Sequence, residues 1–374
     1  MALEVIVLHL YFQKSETMLY IHQTYCISAQ QDLLQPDIEL INEPIDKKLS
    51  AIEPSYEQIP PGVLRRMGKG LRMGVGAALP LIAQTSFING IIIGSANAGM
   101  EDCIKFLNQI VQYEEGQLTP GSFVQSTSNV IAGQLGLISK NKGYNITHVH
   151  LGLAFENALI DAIMQLNANP ANNYLLGGVD EISAYHYNIE TLAGAYKKEA
   201  LSNKQLYQTD TPGCIAGEGA AMFIVNADAT NSVAKITAIS TLHSTDIELI
   251  KQQLKIFLQK NIEEGKEIDL LLSGENGDNR TLPFYTACET LLDDDTPVVR
   301  YKHIIGDYAT ASATGFWYAC QILQSKMLPQ HMFKKISTKK EYRNILMYNN
   351  FKGAQHSFIL VSKDLNHAGG TSET

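Results

Sequence analysis

The sequence is short of several things, and each shortage removes a class of function. Charged residues make up 18% of its 374 residues, with Lys+Arg 29 against Asp+Glu 38 and a net charge of −9. No basic block stands out, which argues against nucleic acid as a partner. An acidic carrier protein is still admitted, because carriers dock on local basic patches. No uninterrupted apolar run reaches about 18 residues, so no membrane span is expected. The five cysteines, Cys26, Cys103, Cys214, Cys288 and Cys320, form no CxxC pair. Odd in number and scattered, they read as reduced, mostly buried thiols of a cytoplasmic protein, and no zinc site has its spacing. GxSxG is missing, so a hydrolase nucleophile elbow has no support. In IIIGSANAG, Gly94 and Gly99 lack an intervening glycine and no Walker lysine follows. A tight strand-to-helix turn accounts for that segment better than a nucleotide site, and no cofactor is expected.

What is present is apolar material, 45% of the chain. That is enough for a sizeable core in one large two-lobed unit. Residues 1–17 read as an N-terminal extension, with an extra strand as the other reading; they lack the basic start and cleavage pattern of a secretory signal. Residues 29–62 are polar and punctuated by prolines, a long surface excursion. From Val63 to about Gln84 the pattern is helical, and it carries Arg65, Arg66, Lys69 and Arg72. GIIIGSA reads as a strand buried on both faces. Helices are expected from Gly99 to about Tyr113 and from Ser122 to about Ser139. YNITHVHL, YLLGGVDEIS and GEGAAMFIV continue the strands of the first half, with FENALIDAIMQL as a helix between the first two. AKITAISTLHS opens the second half, followed by a helix from Asp246 to about Glu264. IDLLLSGENGD, TPVVRYKHIIGD and NILMYNNFKGAQHSFILVS each contain a strand.

Strands alternating with helices indicate an α/β protein with mostly parallel sheets. Each half closes with a small-residue turn and an apolar strand, GEGAAMFIV and GAQHSFILV, which points to two similar halves. The expected division is 18–230 and 231–365, with a loose tail at 366–374.

His148 and His150 flank Val149 and are expected on one face of a strand. They lack a third ligand, so pocket-lining or structural roles are favoured over metal. Two readings stand for Arg65, Arg66, Lys69 and Arg72: a solvated basic face, or a docking patch for an acidic carrier.

Six segments in one order, GMEDCIKFL, LLGGVDE, GEGAAMFIV, SGENGD, YKHIIGD and NNFKGAQHS, resemble the beta-ketoacyl synthase family. The resemblance runs from about Met18 to Val361. It implies the thiolase-like fold, five layers α-β-α-β-α built from two similar halves, with dimerisation through the first half. The stretch PGSFVQSTSNVIAGQLG resembles the family segment leading to that interface. The family condenses acyl chains with a cysteine nucleophile at a helix N-terminus, two histidines and a lysine.

In this chain the resemblance places Phe155 at the cysteine position, and its neighbours Gly152, Leu153 and Ala154 are no nucleophiles either. It places Ser273 and Asp307 at the histidine positions and retains only Lys302. Phe351 matches the family's gating phenylalanine, although Asn349, Asn350 and Lys352 depart from the glycine-rich pattern. The implied protein is a chain-length-factor-like subunit that does not condense. It would pair with an active synthase, or with itself, and work with acyl carrier protein in fatty acid or polyketide synthesis of the aryl polyene or flexirubin pigment type. Phe155 then either plugs the acyl cavity or fills core. Lys302 is either a structural partner of Asp307 or, in the alternative reading, acts with Asp307, His148 and His150 in altered thioester chemistry.

Overall fold

Eleven strands form one continuous mixed sheet in the computed structural model, which describes residues 17–363 except 263–265 and 340. The expected extension, apart from Thr17, and the tail at 366–374 lie outside the described residues. The first half contributes β1 (Leu19–Ile27), β2 (Gly90–Gly94), β3 (Tyr144–His148), β4 (Tyr174–Asp180) and β5 (Gly219–Asn226). They lie in the order β3-β2-β4-β5-β1. The second half contributes β6 (Ala234–His243), β7 (Leu270–Ser273), β8 (Val298–Arg300), β10 (Asn344–Phe351) and β11 (Gln355–Ser362). Their order, β8-β7-β10-β11-β6, is the same permutation, and a short β9 (Phe333–Lys335) extends the far edge. The strand senses repeat as well. In each half the last strand is antiparallel to both neighbours, and the remaining pairs are parallel. The halves join where β1 pairs antiparallel with β6, Leu19 opposite Ile236 to Ile21 opposite Ala234. The two-halves expectation therefore holds at the level of topology, where no residue-level repeat is visible.

Alternation along the buried strands explains the layers. In β2, Ile92 enters the central core, whereas Ile91 and Ile93 face the outer helices of the first half. In β5, Ala221, Phe223 and Val225 point inward, and Ala220, Met222 and Ile224 point outward. Strands covered on both faces carry continuous apolar runs. The outer cover of the first half is α1 (Lys69–Gln84) and α3 (Val130–Ser139), beside the more exposed α2 (Met100–Gln112). The second half is covered by α6 (Ile247–Asn261) and α7 (Leu282–Glu289). Between the two halves of the sheet run α4 (Ala154–Ala168) and α8 (Ala311–Leu323), each touching strands of both halves. This is the five-layer α-β-α-β-α arrangement.

Two helix boundaries differ from the sequence reading. The helix expected from Val63 begins at Lys69, because Gly68 is extended (φ −62°, ψ 164°) and separates it from a single turn at Pro61–Leu64. The helix expected over Ser122 to Ser139 is two pieces, Pro120–Gln125 and α3.

The central layer dictates where small residues must stand. A Cβ on Gly94, at the end of β2, would lie 2.5 Å from the Ala154 carbonyl oxygen and 2.6 Å from the Phe155 Cα. Both are backbone atoms at the start of α4 and cannot swing aside. Gly94→Ala is expected to destabilise the fold by about 2 kcal/mol or more, read by urea unfolding. Gly62→Ala, whose Cβ meets nothing within 4 Å, is the control and should stay near wild type. Equal stability of the two variants would refute this packing constraint.

Candidate functional site

A cleft of about 280 Å³ opens where the C-terminal ends of β2 and β4 meet the β10–β11 hairpin. Its walls include Leu151, Cys214, Asn276, Asp307 and Phe351. It is roofed on one side by α5 (Ala184–Leu192), which contributes His186, Tyr187 and Glu190.

The strand-to-helix junction at the cleft floor is sharp. β3 ends at His148, one 3-10 turn spans Leu151–Leu153, and α4 begins at Ala154. Leu151 has a φ of 48°, a conformation that a branched apolar residue rarely adopts. Leu151 forms part of the cleft wall. Gln355 anchors the junction, accepting from the Gly152 N–H at 2.9 Å. A Cβ on Gly152 would strike the Phe351 side chain, so the junction and Phe351 are in direct contact.

Phe155 stands elsewhere. It is fully buried between the two halves of the sheet, with its ring 5.9 Å from Phe223 and 5.7 Å from Phe316. It fills core and does not line the cleft; the cleft-facing residue of the junction is Leu151, which sequence reasoning passed over. Only its backbone angle distinguishes that leucine within the run LGLAF.

Ser273 does not line the cleft. It is fully buried at the end of β7, where its hydroxyl accepts from the Glu275 N–H. The residue of that loop that reaches the cleft is Asn276, whose side-chain amide donates to the Asp307 Oδ2 at 2.7 Å. The other Asp307 oxygen takes an ion pair from Lys302 at 2.7 Å, and Lys302 is 1% exposed. Lys302 therefore lies behind Asp307 rather than in the cleft, donating also to Asn349 Oδ1 at 3.2 Å. Cys214 lines the cleft but is no activated nucleophile. Its thiol donates to the Ala195 carbonyl, and burial, reinforced by Asp307, pushes its pKa well above the usual thiol range.

Buried carboxylates hold the surrounding loops. Asp180, of LLGGVDE, accepts from the backbone N–H groups of Ala96, Asn97 and Thr310 and from the Ser95 hydroxyl. It thereby ties the β2 turn to the start of α8. Burial raises its pKa to about 6 against those hydrogen bonds. Glu218, of GEGAA, accepts from Ala51 N–H, Ile182 N–H and the Lys69 ammonium. Glu156, not singled out by the sequence, is fully buried in α4 and accepts from the Ser357 hydroxyl at 2.8 Å.

The paired histidines do not share a strand face, because β3 ends between them. His148 bonds Asp161 at 2.9 Å, and the exposed His150 bonds Asn157. Neither lines the cleft. The four-residue basic face is likewise not formed. Gly68 breaks the helix, Lys69 turns to Glu218, and Arg72 makes a bidentate pair with Glu53. Arg65 and Arg66 remain exposed. Among the described residues, no cluster of three or more His, Cys, Asp or Glu could hold a metal ion, and no helix is long and apolar enough to cross a membrane.

Residues 42–202 match the family described as beta-ketoacyl synthase, N-terminal domain. No curated protein matches the sequence. The fold is similar to that of a beta-ketoacyl synthase from Burkholderia phymatum STM815, with a TM-score of 0.73 at 14% identity over 93% of this chain and 100% of that one. It is similar to a type II polyketide ketosynthase solved with its acyl-carrier protein, AntDE:AntF, with a TM-score of 0.73 at 12% identity over 93% and 100% of the two chains. A ketosynthase in complex with its chain length factor from Xenorhabdus doucetiae gives a TM-score of 0.71 at 12% identity over 95% and 100%. At these identities the likeness is one of fold.

Glu156 gives the site a pH signature. Burial raises its pKa from 4.5 to about 7, against the Ser357 hydrogen bond and the positive charge of Lys302. Between those values the folded state binds more protons than the unfolded one, so stability falls as pH rises. Glu156→Gln should remove that slope. Wild type should lose on the order of 2 kcal/mol relative to the variant between pH 5 and pH 8, read by urea unfolding across that range. Parallel stability profiles would show that Glu156 is ionised throughout.

Proposed function

We propose that the chain is a beta-ketoacyl synthase-like subunit that does not condense acyl chains itself, a reading supported by the match of residues 42–202 to that family's N-terminal domain. It pairs with an active synthase and works with acyl carrier protein in polyketide or fatty acid assembly, of the aryl polyene or flexirubin pigment type. The observation that carries this reading is the strand-to-helix junction. The side chain it presents to the cleft is Leu151, which has no atom able to form a thioester. Opposite it stand Asp307 and Asn276. The Asp307 carboxylate is held by Lys302 and Asn276, and an ionised carboxylate has no proton to donate to the oxyanion that a condensing site must stabilise.

A partner subunit is supported by the edge of the first half. β3 is the outermost strand there, and Leu137 of the adjoining α3 and Val149, directly after the strand, are exposed apolar side chains. An uncovered strand edge with apolar flanks is a surface that proteins ordinarily cover. The Xenorhabdus doucetiae neighbour is a ketosynthase in complex with its chain length factor, and the AntDE:AntF structure pairs a ketosynthase with an acyl-carrier protein. Arg65 and Arg66 are the part of the expected basic patch left free for such a carrier.

The alternative reading, altered thioester chemistry on Asp307, has one observation in its favour: Asp307 reaches the cleft. Its proposed partner Lys302 is behind it, already spent on the ion pair.

Intact-protein mass spectrometry separates the two. After incubation with an acyl thioester and a malonyl-carrier, alone and with a synthase of the same source, this chain should carry no acyl adduct and cause no turnover by itself. Loading should be confined to the synthase. An adduct on this chain, or decarboxylation lost on Asp307→Asn, would overturn the non-condensing reading. The carrier role makes a separate prediction. Reversing both Arg65 and Arg66 to Glu should weaken carrier binding by about tenfold and flatten its salt dependence. Unchanged affinity would remove the patch from the proposal.

A further inference from the structure

The cleft has a roof with no core of its own. No residue of α5 is buried, and its apolar side chains Tyr185, Ile189 and Leu192 point to solvent. What holds it is polar or aromatic contact at its surface. Tyr187 stacks on Tyr196 at 5.0 Å and lies under the Lys48 ammonium, and Asn108 donates to the Tyr185 hydroxyl. Its N-terminus is fixed, because Ser183 caps it and Ile182 N–H is bound to the buried Glu218. Its C-terminus ends at Gly194, whose φ of 72° is a natural pivot.

Two contacts cross the cleft from the second half to this helix. Arg280 donates to the Gly194 carbonyl at 2.8 Å. Lys352 pairs with both Glu190 oxygens, at 2.7 and 2.5 Å, and His186 stands 3.7 Å from the same carboxylate. Lys352 sits at the tip of the β10–β11 hairpin with a φ of 54°, directly after the cleft-lining Phe351. A side chain in that backbone conformation is held at a cost, and here it is aimed across the cleft mouth. The Lys352 side chain is half exposed, at 48%, so the pair is worth little and is easily broken.

We propose that α5 is a hinged lid and that Lys352–Glu190 is its latch, so that these two residues set access to the cleft. The inference rests on the cleft and its walls alone and does not depend on what the cleft binds. The weak, solvent-screened pair makes opening cheap and sensitive to ionic strength. Opening uncovers Cys214, which lies beneath the lid's C-terminal end, its N–H and thiol both bound to the Ala195 carbonyl.

Cys214 supplies the readout. The full chain is exposed to N-ethylmaleimide, and labelling of each cysteine is followed by peptide mass spectrometry. Glu190→Gln and Lys352→Gln should each label Cys214 about fivefold faster than wild type. Raising salt from 0.05 to 0.5 M should accelerate Cys214 in wild type and leave the two variants unchanged. Exchanging the charges, Lys352→Glu with Glu190→Lys, should restore slow labelling. Cys320, fully buried in α8, reports global unfolding and should stay unlabelled in every case. Unchanged Cys214 rates, or a parallel rise at Cys320, would overturn the latch.

Discussion

Everything in this molecule is arranged around the need to keep the layer between the two halves of the sheet closely packed. α4 and α8 run there side by side, and strands press on them from both sides. Backbone must approach backbone, so glycine stands where the elements touch. Gly94 meets the start of α4, and Gly178 meets Ala313 and Phe155. α8 accordingly opens with small residues, Ala311, Ser312 and Ala313, before its aromatic part. This packing leaves the junction between β3 and α4 no slack. The chain takes the corner through a strained leucine, and the position of that corner fixes the cleft.

The same dry layer governs the electrostatics. Glu156, Lys302 and Asp307 are all taken out of water, and one positive charge faces two carboxyls. Lys302 gives its ion pair to Asp307, and Glu156 is left with a serine hydroxyl and a proton-favouring environment. Removing one member of such a buried pair is far more costly than the pair is worth, because the partner would be stranded. The ion pair gives Lys302 a structural partner. It neutralises Asp307, and Asp307 with Asn276 closes the end of the cleft.

Much of the fold could be read from the residues, and the reason is periodicity. GIIIGSA, GEGAAMFIV and the last strand, at Phe358–Val361, contain continuous apolar runs, and such runs mark strands covered on both faces. The identical strand permutation of the two halves was foreshadowed only by their similar closing turns, because topology leaves no fixed sequence trace. The site was less legible. Asp307 and Phe351 reach the cleft where the motifs put them, but Phe155 and Ser273 do not. Phe155 is four residues past Leu151, one helical turn on, and Asn276 is three past Ser273. Offsets of that size are set by where a strand ends and a turn begins, and such ends depend on tertiary packing rather than on composition. The histidines and basic residues failed for the same kind of reason: a strand stopping at His148 and a helix starting after Gly68 undo spacings that look regular along the chain.

Leu151 decides how the cleft is to be understood. A backbone held at a positive φ costs free energy, and a branched apolar side chain is among the least suited to it. Leu151 is more than half exposed, so burial of its own side chain does not offset that cost. The geometry suits a side chain that must be thrust into the cleft from the start of a buried helix. The residue that the corner brings to the cleft wall is an aliphatic one. Across the cleft the Asp307 carboxylate is paired with Lys302 and held by Asn276, so its charge is compensated from within the fold. Under the non-condensing reading proposed above, such a cleft binds, excludes or aligns, and these functions depend on its walls and its roof.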